Sequence, residues 1–90
     1  GIMISKLMTV EMPNGLDARP VAELVQMASR YVSTIHIESG TIKVNAKSIM
    51  GMMTLDLDNG QAVTVEADGK DEDDALDGIE GFLKGTRTTD

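Results

Sequence analysis

The spacing of apolar residues changes repeatedly along the ninety residues of this chain, and this change limits the fold more than any other feature. Loose alternation of apolar and polar residues, typical of strands, covers residues 4–12, 32–38, 41–46 and 62–67. Apolar residues three and four apart, typical of helices, occur in residues 18–30 and 75–83. Residues 49–55 are apolar without strict alternation and rich in Met, so we expect a short helix there. The predicted order is β-α-β-β-α-β-α, an α+β fold in which three helices cover one face of a four-stranded antiparallel sheet.

Each predicted helix is preceded by residues that favour a helix start. Asp17 stands at the N-cap position of the first helix, and Pro20 falls in its first turn, where a missing N–H is harmless. Ser48 is the natural cap of the short second helix, which Gly51 weakens. The acidic residues 71–74 begin the third helix, where the macrodipole favours negative charge. Four adjacent acids also resemble a cation site, although a solvated helix start is the commoner interpretation of such a run.

The length fits one domain, which we place at residues 3–84. We expect Gly1 and Ile2, which precede Met3, to be a cloning remnant, and residues 85–90 to form a flexible tail. Eight Lys plus Arg against fifteen Asp plus Glu give a net charge of −7, which disfavours non-specific binding to nucleic acid or to an anionic membrane. Because the sequence shows no apolar run of membrane-spanning length and no signal-peptide pattern, we expect a cytoplasmic protein.

The chain has one His and no Cys, which narrows the chemistry that it can carry out. Cys–His nucleophilic pairs, thiolate metal sites and most acid–base schemes centred on imidazole are excluded. We expect no metal and no other cofactor, and any chemistry must rely on hydroxyl and carboxylate groups. The single His, His36, falls in the second predicted strand and is expected to be an ordinary strand residue.

Two stretches of the chain resemble motifs of one bacterial family. Residues 13–22 read Pro-Asn-Gly-Leu-Asp-Ala-Arg-Pro-Val-Ala. They resemble the active-site segment of HPr, the small phosphocarrier of the bacterial sugar phosphotransferase system, in which the family reads Asn-Gly-Leu-His-Ala-Arg-Pro-Ala. Residues 44–53 read Val-Asn-Ala-Lys-Ser-Ile-Met-Gly-Met-Met and resemble the regulatory serine site of Gram-positive members. The resemblance extends over about residues 3–84 and implies the HPr fold, an open-faced β-sandwich.

At the position where the family carries its phosphorylated His, this sequence has Asp17. Three interpretations of Asp17 remain open: an N-cap alone, a partial mimic of phosphohistidine with its charge held against Arg19, or a phosphoryl acceptor that forms an acyl phosphate. A helix N-terminus and the Arg19 guanidinium would still hold a phosphoryl group. The family usually has more basic residues along this helix, and the neutral Gln26 and Ser29 weaken the expected docking to enzyme I.

From the residues alone Ser48 is a helix cap, but the resemblance implies a modification site. In Gram-positive members this serine is phosphorylated by a bifunctional kinase/phosphorylase, and the product is a corepressor for a LacI-type catabolite control regulator. The spacing of Ile49, Met52 and Met53 also fits a core face, so periodicity cannot decide which residues are exposed. The resemblance implies that Met52 and Leu55 point inward. It also implies that Ile49, Met50 and Met53 help to form an exposed apolar patch.

We therefore predict a regulatory, non-carrier member of this family that is not itself an enzyme. It would be controlled by phosphorylation at Ser48 and would act through protein docking in carbon catabolite regulation. The docking surface is expected to include Asp17, Arg19, Ala22, Lys47, Ser48, Ile49, Met50 and Met53. Two alternatives remain: a phosphoryl-transfer intermediate that uses Asp17, and a purely structural interaction module.

Overall fold

The computed structural model describes residues 3–85 of the chain. Its elements are β1 (Ile4–Thr9), α1 (Ala18–Ala28), β2 (Thr34–Ser39), β3 (Ile42–Asn45), α2 (Ile49–Leu55), β4 (Ala62–Asp68) and α3 (Glu72–Leu83). This order confirms the predicted β-α-β-β-α-β-α arrangement. The expected cloning remnant and residues 86–90 of the expected tail lie outside the described residues.

The four strands form one antiparallel sheet in the order β1-β4-β2-β3. In β4 the buried Val65 is paired with Lys6 on one side and with Ile37 on the other. Because side chains alternate along each strand, the residues on one face are buried beneath the helices, while the other face carries Leu7, His36 and Lys43 in more exposed positions. The fold is therefore an α+β sandwich with one open sheet face, as predicted. His36 lies in β2, as expected.

The core between the sheet and the helices is aliphatic and contains several methionines. Its largest fully buried side chains include Leu24 of α1, Ile37 of β2, Met52 of α2 and Ile79 of α3. Burying side chains of this size contributes roughly 1.5–3 kcal/mol each. Across the described residues, no helix is both long and apolar enough to span a lipid bilayer.

Two strand boundaries differ from the hydrophobic pattern. β1 ends at Thr9 instead of continuing to residue 12, because the chain turns away and the Glu11 N–H donates to the Leu83 carbonyl at the end of α3, 2.7 Å away. β2 begins at Thr34, so the prediction that Val32 lies in this strand was wrong. Val32 is exposed, and its N–H donates to Asp71 instead of to a neighbouring strand.

The start of α3 is not merely a solvated acidic run. The Asp71 carboxylate accepts hydrogen bonds from the N–H of Val32 at 2.9 Å and from the N–H and hydroxyl of Ser33 at 3.0 and 2.6 Å. Ser33 is fully buried, so these bonds satisfy a polar group that would otherwise be costly to bury. Asp71 therefore ties the loop before β2 to α3, whereas Asp73 and Asp74 are exposed as expected.

Helices α1 and α2 run antiparallel, and contacts at both ends of the pair show this. At one end, the Leu16 N–H donates to the Leu57 carbonyl at 2.9 Å, which joins the start of α1 to the chain leaving α2. At the other end, the Lys47 ammonium donates to the Tyr31 carbonyl at 2.7 Å, which joins the chain entering α2 to the chain leaving α1. The two helix starts therefore lie at opposite ends of this pair.

Candidate functional site

The start of α2 is capped by the residue that the sequence predicted. Ser48 has an extended backbone, and its Oγ accepts a hydrogen bond from the Gly51 N–H at 3.1 Å. This is the N-cap interaction that Ser favours. A Cβ on Gly51 would lie only 3.2 Å from the Val44 Cβ, so the small residue lets α2 approach β3 closely. The weak helix propensity of Gly51 is thus compensated by packing.

The first turns of α2 expose a face of apolar side chains. Met50 is 80% exposed, Ile49 52% and Met53 43%, whereas Met52 is 1% exposed and Leu55 7%. This confirms the expected orientation of all five residues, which periodicity alone could not assign. We call Ile49, Met50 and Met53 the α2 patch. Contiguous exposed apolar residues of this kind often mark a site of protein interaction.

The start of α1 is built differently from that of α2. Asp17 occupies the N-cap position, but its exposed side chain makes no capping hydrogen bond to the described part of the chain. The third helical residue is Pro20, whose ring nitrogen has no hydrogen to donate, so one of the two usual donors to an N-cap side chain is missing. The predicted position of Asp17 is confirmed, and the predicted capping bond is wrong.

Arg19 does not hold the charge of Asp17 in place. Its side chain is 91% exposed, and its Nε lies 3.9 Å from a carboxylate oxygen of Glu23, one turn along α1. Within residues 3–85, no ion pair joins Arg19 to Asp17. A surface pair of this length contributes a few tenths of a kcal/mol at most, so the guanidinium remains available to a partner.

The residues expected to form the docking surface fall into two groups. Ser48, Ile49 and Met50 lie at the start of α2, whereas Asp17 and Arg19 lie at the opposite end of the α1–α2 pair. Seven helical residues extend about 10 Å, so the two groups do not share one pocket. The half-buried Ala22 lies one turn into α1, and Met53 lies in the second half of α2.

Lys47 has a structural contact that sequence reasoning missed. Its ammonium is committed to the Tyr31 carbonyl at 2.7 Å, and its own N–H donates to the Asn45 side chain at 2.8 Å. Tyr31 in turn lies against α3, as shown by the hydroxyl of Tyr31, with which a Cβ added to Gly78 would collide. No local pattern indicated this contact, since sixteen positions separate Lys47 and Tyr31.

No grouping of three or more His, Cys, Asp or Glu residues that could hold a metal ion occurs in the described part of the chain. The functional groups at the two helix starts are a serine hydroxyl and an aspartate carboxylate.

Comparison with known proteins identifies the family of this chain. A family model described as the PTS HPr component phosphorylation site matches residues 4–85. The chain belongs to the HPr family. The match spans both helix starts and all seven elements of the fold.

The relatives include proteins named Crh, a name given to the catabolite repression HPr of Bacillus subtilis, and a protein named as the phosphocarrier HPr. The HPr-like protein Crh of Halalkalibacterium halodurans is 43% identical over 82 residues, covering 91% of this chain and 98% of that protein. Crh of Bacillus subtilis is 42% identical over 82 residues, covering 91% of this chain and 96% of that protein. Among solved structures, the phosphocarrier protein HPr of Bacillus anthracis superposes with a TM-score of 0.89 at 40% identity, covering 92% of this chain and 99% of that one.

Proposed function

We propose that this chain is a regulatory, non-carrier HPr-family protein that is switched by phosphorylation of Ser48. An HPr kinase/phosphorylase would add the phosphate, and the modified protein would dock to a LacI-type catabolite control regulator in the cytoplasm. The observation that carries the proposal is the placement of the Ser48 hydroxyl at a helix start beside the exposed α2 patch. The names of the two Crh relatives support a regulatory role.

The geometry of Ser48 suits modification without refolding. In the cap, Oγ serves as an acceptor for the Gly51 N–H, so the hydroxyl proton is not needed for that contact. A phosphate would add about −1.5 to −2 charge at a helix N-terminus, where the dipole favours negative charge. The modified protein would therefore present new charge next to an apolar surface while the fold stays the same.

The α2 patch would supply the apolar part of the docking surface. Met50 and Met53 suit this role because the flexible thioether side chain adapts to the shape of a partner. Arg19, Ala22 and Asp17 would extend the surface towards the start of α1. Lys47 would border it through its carbon stem, since its ammonium is bound to Tyr31. The chain itself acts as a docking protein and not as a catalyst.

Labelling with an HPr kinase/phosphorylase and ATP tests the modification. We expect one phosphate per chain, located on Ser48 by peptide mapping, and no label on Ser48→Ala. Ser29→Ala is the matched control, because Ser29 also bonds a helix backbone group, the Val25 carbonyl at 2.7 Å, and is expected to leave labelling unchanged. Labelling that persists in Ser48→Ala, or that never occurs, contradicts the proposal.

Binding of the phosphorylated protein to the regulator tests the docking surface. We expect Met50→Gln to weaken binding by about tenfold, which is the loss typical of a residue near the centre of an interface. Leu7→Gln is the control, because Leu7 is also an exposed apolar residue but lies on the open face of the sheet, away from the helices. Equal losses in the two variants would mean that the α2 patch is not the docking surface.

A second candidate function is phosphoryl transfer through Asp17. Its exposed carboxylate, which makes no capping bond to the described residues, is free to react. Incubation with enzyme I and phosphoenolpyruvate would then give a hydroxylamine-labile phosphate that Asp17→Asn lacks. The exposed, neutral residues Gln26 in α1 and Ser29 directly after it argue against docking to enzyme I. In the third interpretation, a purely structural module, neither Asp17→Ala nor Ser48→Ala alters any partner interaction.

A further inference from the structure

The methionines of α2 differ sharply in their exposure to solvent. Met50 is 80% exposed and Met53 is 43% exposed, but Met52 between them is 1% exposed and packs in the core. The chain contains no Cys, so methionine sulfur is the only sulfur that an oxidant can reach. Ile49, the third member of the α2 patch, has no oxidisable group.

We propose that Met50 and Met53 are sites of reversible oxidation by hydroperoxides, and that this oxidation prevents partner binding at the docking surface. The methionine sulfur attacks one oxygen of hydrogen peroxide and forms the S–O bond of a sulfoxide. The O–O bond breaks, and the other oxygen leaves as water after proton transfer. Sulfur loses two electrons and peroxide gains them, so no further reactant is needed. Sulfoxide reductases reverse the change.

Oxidation at these two positions alters the surface and spares the fold. A sulfoxide is polar, and in the α2 patch it would replace apolar contact area with a group that prefers water. Since neither side chain lies in the core, the helix and the sheet are expected to remain intact. The loss of docking rests on the proposed function, whereas the selective oxidation of Met50 and Met53 does not.

Peroxide treatment followed by peptide mapping tests the selectivity. In the full chain carrying Met3→Leu, which removes another exposed methionine, we expect Met50 to be oxidised first and Met53 next. Met52 should stay reduced until the chain is unfolded in urea, and the thermal unfolding midpoint should not change after Met50 and Met53 react. Equal oxidation rates at Met50 and Met52, or loss of cooperative unfolding, would overturn the proposal.

Binding to the regulator tests the consequence. We expect the phosphorylated protein to bind at least tenfold more weakly after oxidation. The phosphorylated Met50→Leu/Met53→Leu variant has no sulfur in the α2 patch, so its own affinity should be the same before and after peroxide treatment, whatever that affinity is relative to the original chain. If the unoxidised phosphorylated protein does not bind, the proposed function fails, and the proposal that oxidation prevents docking fails with it. If it binds equally well before and after oxidation, the proposal that oxidation prevents docking fails, while the proposed function stands.

Discussion

The first turns of α1 and α2 are stabilised by different kinds of contact. At α2 the side chain of Ser48 caps the helix itself through the Gly51 N–H. At α1 the side chain of Asp17 makes no such bond, and the backbone of Leu16 holds the helix start against the Leu57 carbonyl instead. Where a backbone hydrogen bond holds the start of a helix, substitution of the N-cap residue should change the free energy of unfolding only a little. The difference implies that the start of α1 tolerates a change of its N-cap side chain better than the start of α2 does.

The largest expected effect comes from breaking the backbone attachment of α1. Gly15 has a φ of +69°, and a Cβ there would lie 2.8 Å from the Leu57 carbonyl oxygen. We expect Gly15→Ala to lower the free energy of unfolding by about 2–4 kcal/mol, because it adds both left-handed strain and overpacking. Urea unfolding measures this loss.

Gly40→Ala provides the control for Gly15→Ala. Gly40 has a similar φ of +61°, but a Cβ there would meet nothing within 4 Å. Its substitution is expected to cost only the backbone strain of roughly 1–2 kcal/mol. If the two substitutions cost the same, the close packing of Gly15 on the Leu57 carbonyl, which the Leu16 N–H also contacts, does not hold the start of α1.

A smaller effect is expected from removing the side-chain cap of α2. Ser48→Ala should lower the free energy of unfolding by about 1 kcal/mol, since the Gly51 N–H loses its acceptor. Ser48→Asp should restore most of this loss because Asp is also a good cap. A Ser48→Ala variant as stable as the original chain would show that the cap does not stabilise α2.

A still smaller effect is expected at the other helix start. Asp17→Ala and Asp17→Asn should each change the free energy of unfolding by less than about 0.5 kcal/mol, because only an exposed charge–dipole interaction is altered. The same urea titrations give the comparison with Ser48→Ala. A loss at Asp17 as large as that at Ser48 would remove the distinction between the two helix starts.

The start of α3 adds a third arrangement, which is sensitive to pH. The Ser33 hydroxyl, followed by the N–H groups of Val32 and Ser33, lowers the pKa of Asp71 against the opposing effect of desolvation. A lowered folded-state pKa means that this stabilisation is present above the unfolded pKa of about 3.9 and is lost as pH falls through the folded value.

Stability should therefore fall below about pH 4, and the fall should be smaller in Asp71→Asn, which has no carboxylate to protonate. Ser33→Ala is the second arm of this experiment, because it removes the largest cause of the pKa shift while it keeps Asp71. Urea midpoints measured between about pH 2 and pH 6 provide the test. An unchanged pH dependence in both variants would show that this contact does not contribute to acid stability.

The fold was predictable because the spacing of apolar residues along the sequence changes near the boundaries of the strands and helices. Even α2, with a glycine in its third position, was identified from Ser48 and the Met-rich run. The ends of β1 and β2 were not predictable, because they depend on distant partners. The Glu11 N–H donates a hydrogen bond to the Leu83 carbonyl, and the Val32 N–H donates one to the Asp71 carboxylate.

The positions of the candidate site residues on the helices were predictable, but not all of their contacts. Periodicity could not separate the exposed Met53 from the buried Met52, and only the family resemblance indicated the orientation that the structure confirms. The bond between Lys47 and Tyr31 joins residues that are distant in the sequence. The missing cap at Asp17 could be anticipated only in part, from Pro20 at the third helical position.

Exposing the protein to two phosphoryl donors tests the central claim most directly. One sample receives an HPr kinase/phosphorylase with ATP, the other receives enzyme I with phosphoenolpyruvate, and mass mapping locates the phosphate in each. We predict one phosphate on Ser48 in the first sample and none on Asp17 in the second. A hydroxylamine-labile phosphate on Asp17, with Ser48 unmodified in the first sample, would contradict the account.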